Sequence, residues 1–328
     1  MIPAIVNAVI VPPLLALMVT AAVIAVLMRS RLAVLVLDHP NQRSLHAAPT
    51  PRLGGIGVVA GVAAAWAYAA PPLDPRLLIA LALLVGISLL DDLRSVGVPW
   101  RLTLHFTGAL LAMAALLYAA HGIWLTLAAT LAAMWLINLY NFMDGSDGLA
   151  GGMALIGFGT YGAASLLGGD FSFAAINLSV AAAACAFLYF NFPPARVFMG
   201  DAGSIPLGCL AAVLDVTGWL RGNWPLWFGI AVFSPFIVDA SLTLLKRLLR
   251  GARVWQAHRE HYYQRLVQNG WGHRKTALAE YALMALCSGA AIFGARQEQT
   301  LQLAVLGVLA LFYAGLIVAL ERYFPRHA

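Results

Sequence analysis

Apolar residues in this chain come in long unbroken runs. They follow neither the alternation of a half-buried strand nor the one-sided stripe of a soluble helix. Residues 4–28 hold no Lys, Arg, Asp or Glu at all. Similar runs cover 54–70, 76–90, 103–120, 123–138, 148–167, 171–190, 203–219, 225–249, 276–294 and 300–321. A helix crosses the hydrocarbon core with about 20 apolar residues. The pattern therefore predicts an all-α, polytopic membrane bundle of about 11 transmembrane helices. A transmembrane barrel would show short alternating segments, and these runs do not alternate. Pro71–Pro72, His121–Gly122 and Gly168–Gly169 supply turn residues where the runs lie closest together. No basic segment precedes the first run, which reads as a first span and not as a signal peptide.

Charge orients the bundle. All but Arg76, Arg221 and Arg296 of the 20 Lys and Arg fall at one face, in or beside loops at about 29–53, 91–102, 139–147, 191–202 and 250–275 and at the C-terminus. The positive-inside rule places that face in the cytoplasm, with the N-terminus outside and the C-terminus inside a single domain, 1–328. Only 10% of residues are charged and 62% are hydrophobic, where a soluble domain carries about 25% charged residues. The net charge of +6 thus marks one face of a membrane protein and not a nucleic-acid surface. It suits anionic headgroups or anionic substrates. Cys185, Cys209 and Cys287 lie far apart in apolar runs and form no metal or redox pair.

The acids change the picture. Asp91, Asp92, Asp144, Asp147 and Asp201 all map to the basic face, from three different loops. A carboxylate beside hydrocarbon is costly unless paired, metal-bound or wet, so the five point to one shared site. Asp144 and Asp147 are spaced to share a face of a helix, and Gly145 and Gly148 allow close approach. Each of these acids also has a plainer reading: Asp144, Asp147 and Asp201 could be helix caps, since Asp before an apolar run is a common cap, and Asp91–Asp92 could be a solvated helix end. Asp239, inside a span, is a further candidate by the cost of an intramembrane acid, ranked below the others. His105 and His121 read as structural. The loop stretch HREHYYQRL carries His258, Arg259, His261 and Arg265, donors suited to phosphate. Arg43, His46 and Arg52 in the 38–55 loop, and Arg196, are further cations for phosphate. Hard oxygen ligands without cysteine point to Mg²⁺, with Mn²⁺ as the alternative. Acids for a metal, arginines for phosphate and a lipid-facing scaffold together suggest phosphoryl transfer on a lipid.

Five blocks fall in order along the chain: DHPNQRSLHAAPTPRLGG (38–55), LLDD (89–92), NFMDGSDGLAGG (141–152), VFMGDAGSIPLG (197–208) and AHREHYYQRL (257–266). With them the chain resembles the polyprenyl-phosphate N-acetylhexosamine-1-phosphate transferases, the MraY/WecA-like superfamily. The form of the last block resembles the O-antigen-initiating, WbpL-like subgroup. The resemblance implies transfer of HexNAc-1-phosphate from a UDP-HexNAc to undecaprenyl phosphate, with release of UMP, at the bacterial inner membrane. It implies that Asp201 ligates Mg²⁺ and that Asp91 and Asp92 handle metal and lipid phosphate. It further implies that Asn141, Asp144 and Asp147 contact nucleotide and metal, that Phe198 stacks on uracil, and that His258 and His261 contact the diphosphate or sugar. Relatives of this kind point to a homodimer. Two other classes compete: a transporter of a nucleotide sugar or lipid-linked sugar, and a non-catalytic scaffold. A transporter would carry its polar groups along a midplane path, whereas these gather at one face.

Overall fold

The computed structural model describes residues 2–40, 44–45, 48–72, 74–94, 96–254, 256 and 258–324. It is helical almost throughout: α1 (Ile2–Met28), a single turn α2 (Leu32–Leu35), α3 (Gly54–Ala69), α4 (Pro75–Leu93), α5 (Val98–Met113) and α6 (Ala119–Phe142). Then follow α7 (Leu149–Leu167), α8 (Phe171–Asn191), α9 (Asp201–Leu220), α10 (Phe228–Val232), α11 (Ser234–Leu249), α12 (Tyr262–Leu266), α13 (Gly272–Ala295) and α14 (Gln299–Tyr323). Every expected run overlaps a helix.

The expected count of eleven does not carry over directly. Among the described residues, seven helical stretches are long and apolar enough to cross a membrane. Val98–Phe142 is one such stretch and covers two expected runs, because α5 continues through a π-helical turn, Ala114–Tyr118, into α6. The turn expected at Gly122 is nonetheless there, with φ 74° and ψ −177°. The run 225–249 splits at Phe233, just before Pro235, into α10 and α11. The helix α3 has 16 residues, and α4 carries Arg76, Asp91 and Asp92. The expected loops are shorter than drawn. The acidic pair is still helical at the end of α4, and the 250–275 segment folds into α12, a π-helical turn and the start of α13.

Helix ends are fixed by the residues placed there. Asp74 caps α4 by accepting the Arg76 N–H, with Pro75 at the first helical position. Asp170 caps α8 through the Phe173 N–H. The core lies where α1 packs on α3 and α8, α7 on α8, and α6 and α4 on α9. Without a hydrophobic drive between helices in lipid, such contacts rely on small residues that let backbones approach. At Gly55 and Gly203, α3 meets α9 so closely that a Cβ on Gly203 would lie 2.6 Å from the Gly55 Cα and 2.4 Å from Met199 Cγ. Gly203→Ala is therefore expected to cost about 1–3 kcal/mol through overpacking and to displace the start of α9. Gly86→Ala, where a Cβ meets nothing within 4 Å, is the control. Thermal unfolding of both in detergent checks this.

The only strands among the described residues are β1 (Leu37–Asp38) and β2 (Thr50–Pro51), antiparallel, with Leu37 opposite Pro51. A parallel bridge pairs Arg52 with Phe198, and the Gly54 and Gly55 N–H groups donate to the Phe198 and Met199 carbonyls. This stitching brings Arg52 beside the start of α9.

Candidate active site

Three elements converge here: Arg52 leads into α3, Asp91 and Asp92 close α4, and Asp201 opens α9. Helix α9 follows Gly200 and has no cap of its own, so its first amides need an outside acceptor. Asp92 provides it. Its Oδ1 accepts the Asp201 N–H at 3.3 Å and its Oδ2 the Ala202 N–H at 3.1 Å. The Asp92 side chain is 4% exposed, and Arg52 Nη1 lies 3.5 Å from it. Arg52 Nη2 also donates to Asp38 at 2.9 Å. Asp92, expected to share the metal, thus has both oxygens turned to the α9 backbone and holds Asp201 in place.

Asp91 accepts the Val96 N–H at 2.6 Å and pairs with Arg101 Nη1 at 2.7 Å. The same Nη1 stands 3.6 Å from Asp201 Oδ2. Asn141, in the last turn of α6, donates to Asp201 Oδ1 at 2.7 Å and to Ser204 Oγ at 3.0 Å. After Phe142 the chain leaves the helix, so Asp144 and Asp147 do not share a helix face as their spacing suggests. They sit in a turn and point to different partners. Asp144 faces the Gly200 N–H. Asp147 accepts the Ala195 N–H at 2.9 Å and lies 3.7 Å from His273 Nδ1. Burial, reinforced by the Asp201 and Asp92 carboxylates, holds the Asp144 carboxyl well above the usual carboxylate range, with Arg52 opposing.

A polar cavity of about 270 Å³ opens among these groups. Asn141, Asp144, Asp147, Asp201, Arg52 and Phe198 line it, all expected from sequence. Asp91, Asp92 and Arg101 stand behind it. Asp38, Ser44, Gln264 and His273 also line it and were missed as site residues, as was Arg101. Asp38, Ser44 and Gln264 belong to blocks already singled out, 38–55 and 257–266. Arg101 and His273 are isolated single residues with no spacing to mark them.

The remaining expected residues lie elsewhere. His261 is buried, 3.2 Å from Asp239, and stacks near His258 with ring centroids 4.9 Å apart. Burial and the His261 ring push the His258 imidazole down to about 4. Neither histidine lines the cavity. Arg265 is buried against Glu321 at 2.9 Å and over the Tyr262 ring, which ties α12 to the end of α14. Arg196 is exposed, donates to the Tyr189 carbonyl and lies over the Tyr189 and Phe190 rings. Arg259 is exposed and away from the cavity lining. Arg43 and His46 lie outside the described residues.

Among the described residues, no three His, Cys, Asp or Glu side chains are already arranged to hold a metal ion. The donor set is nevertheless that of a hard cation: carboxylate oxygens crowded enough to repel one another, with Arg101 and Arg52 as the charges now offsetting them.

Residues 75–218 match the family model described as glycosyl transferase family 4. The chain is 27% identical over 294 residues to a probable undecaprenyl-phosphate N-acetylglucosaminyl 1-phosphate transferase of Bacillus subtilis (strain 168), covering 84% of this chain and 82% of the relative. It is 30% identical over 308 residues to the decaprenyl-phosphate N-acetylglucosaminephosphotransferase of Mycobacterium tuberculosis (strain ATCC 25618 / H37Rv), covering 78% and 74%. It is 28% identical over 290 residues to an undecaprenyl-phosphate alpha-N-acetylglucosaminyl 1-phosphate transferase of Yersinia pestis, covering 80% and 77%.

Proposed function

Because the chain belongs to glycosyl transferase family 4, among the polyprenyl-phosphate N-acetylhexosamine-1-phosphate transferases, we propose that its cavity holds a UDP-HexNAc whose sugar phosphate passes to undecaprenyl phosphate. The protein is an integral membrane transferase that moves a HexNAc-1-phosphate onto a polyprenyl phosphate. A lipid phosphate oxygen forms a bond to the sugar-bound phosphorus, the bond from that phosphorus to the bridging oxygen breaks, and UMP leaves. The observation that carries the reading is the meeting of Asp91, Asp92, Asp144 and Asp201 with Arg52 and Arg101 at the ends of α4, α6 and α9.

A phosphomonoester carries about −1.5 to −2 charges at pH 7, so a strong general base is not required. The harder task is to bring two polyanions together. Asp201 and Asp144 would hold Mg²⁺, with Mn²⁺ as the alternative. A bound divalent cation supplies charge neutralisation at the diphosphate and on the leaving phosphate. Both Asp91 oxygens are engaged by Arg101 and Val96, an arrangement that suits orienting Arg101 toward a phosphate. Phe198 offers its ring to the base of the donor. The basic loops support a cavity that faces the cytoplasm at the inner membrane. The isoprenoid tail needs apolar surface, and cavities of about 690 Å³ between α3, α4 and α9 and about 380 Å³ beside α6, α9 and α11 offer it. The WbpL-like form of the 257–266 block supports an O-antigen or related surface polysaccharide as the destination.

The test is a donor panel, UDP-GlcNAc, UDP-FucNAc and UDP-QuiNAc, with undecaprenyl phosphate and Mg²⁺ in detergent. UMP and glycolipid are expected together with at least one donor. Chelation with EDTA is expected to lower the rate more than about 100-fold, with Mg²⁺ or Mn²⁺ restoring it. A transporter would release no UMP with any of them.

A further inference from the structure

One cavity residue outside the carboxylate cluster ties together three segments far apart in sequence. His273 is the second residue of α13. Its Nδ1 lies 2.9 Å from Ser146 Oγ and accepts the Asp147 N–H at 3.3 Å, while its Nε2 lies 3.2 Å from the Leu45 carbonyl oxygen. A backbone N–H can only donate and a carbonyl can only accept. The two backbone contacts therefore fix one tautomer, with Nδ1 bare and Nε2 protonated. Ser146 Oγ then donates to Nδ1. A second tie from the same helix reaches the same turn: Tyr281, two turns further along α13, donates its hydroxyl to the Gly148 carbonyl at 2.7 Å.

The turn held in this way carries Asp147 and Ser146 on the cavity wall, and Leu45 lies on that wall too. Asp91 and Arg101 do not line the cavity. With those two set apart from it, we assign the lipid phosphate to Asp91 and Arg101 and the cavity proper to the donor. We propose that His273 is a positioning residue for the nucleotide-sugar donor: its imidazole clips the 146–147 turn to Leu45 and so sets the shape of the donor cavity. This rests on the donor reading given above.

Three variants separate the two ends of the clip. His273→Ala removes both. His273→Asn places an amide oxygen near the position of Nδ1 and keeps an acceptor for Ser146 and Asp147. His273→Gln reaches the position of Nε2 and keeps a donor for Leu45. The expected result is a rise of about tenfold in KM for the UDP-sugar in His273→Ala, the size of one or two lost hydrogen bonds. KM for undecaprenyl phosphate and the unfolding temperature should stay near the wild-type values. His273→Asn should recover most of the loss and His273→Gln little of it. With an active wild type, a donor KM within twofold of wild type in all three variants would overturn the proposal. So would equal changes in donor and acceptor KM, or a lower unfolding temperature with unchanged kinetics in the folded fraction. A wild type that releases no UMP from any donor overturns the functional reading itself, and the proposal with it.

Discussion

Asp201→Asn is expected to lower phospho-sugar transfer about 10³-fold while leaving the protein at least as stable as the wild type. The substitution keeps the volume and the Oδ1 acceptor for Asn141, 2.7 Å away, so the end of α6 stays tied to α9. It removes one negative charge from a place where Asp91 and Asp92 both press on it electrostatically. Loss of that repulsion favours the folded state. Loss of the charge weakens whatever cation or developing positive field the site offers to the diphosphate, an effect of several kcal/mol in such sites, and each 1.36 kcal/mol is about tenfold in rate. Activity and stability thus move in opposite directions, as they do where a site stores repulsion for function. UMP release and thermal unfolding measured on the same preparation check both halves. If the variant keeps a third or more of the wild-type rate, Asp201 is only a helix-start residue.

How much of this site could be read from the chain follows from what each residue costs. Acids at the edge of hydrocarbon are expensive, so Asp91, Asp92, Asp144, Asp147 and Asp201 stand out in a chain that is 10% charged. Their individual roles do not stand out in this way. That Asp92 spends both oxygens on the α9 amides depends on α4 ending beside α9, a long-range placement with no local signature. Periodicity also misleads over 144–147, because Gly145 and Gly148 interrupt the helix that the spacing assumes. The histidines of the 258–261 stretch looked like cavity donors because their loop is polar. The buried carboxylate of Asp239 draws His261 inward instead, and Glu321 does the same for Arg265. Conversely, Arg101 looks like one more charge of a basic face, and His273 carries no mark at all, until the fold places them against Asp91 and Asp147. The helices themselves were legible because lipid demands continuous apolar runs. The splitting of 225–249 at Phe233 was not, although Pro235 was in view.

The second large effect concerns Asp239, whose carboxylate organises the loop and not the chemistry. It is 6% exposed. Its Oδ1 accepts the Tyr262 N–H at 2.9 Å and lies 3.2 Å from both His261 Nδ1 and Thr243 Oγ1, and its Oδ2 accepts the Tyr263 N–H at 3.0 Å. The first two amides of α12 are thereby capped from α11. Asp239→Ala leaves these buried donors unmet at about 1–3 kcal/mol each, so a total loss of about 4 kcal/mol is expected, seen as a clear drop in unfolding temperature in detergent. The effect should reach the cavity. Tyr263, on the freed helix, donates its hydroxyl to the Phe142 carbonyl at 3.0 Å, and Gln264 lines the cavity. Transfer should therefore fail at a lower temperature than in wild type, with donor KM rising before the fold is lost. Tyr263→Phe removes only the last link and is expected to cost about 1 kcal/mol with the same direction in KM. An Asp239→Ala protein that unfolds with the wild type would mean that α12 is held by its other ties, the Arg265–Glu321 pair, the Tyr262 hydroxyl between Lys246 and Glu321, and the Tyr263 hydroxyl on Phe142. The intramembrane acid would then need a role in the reaction to account for its cost.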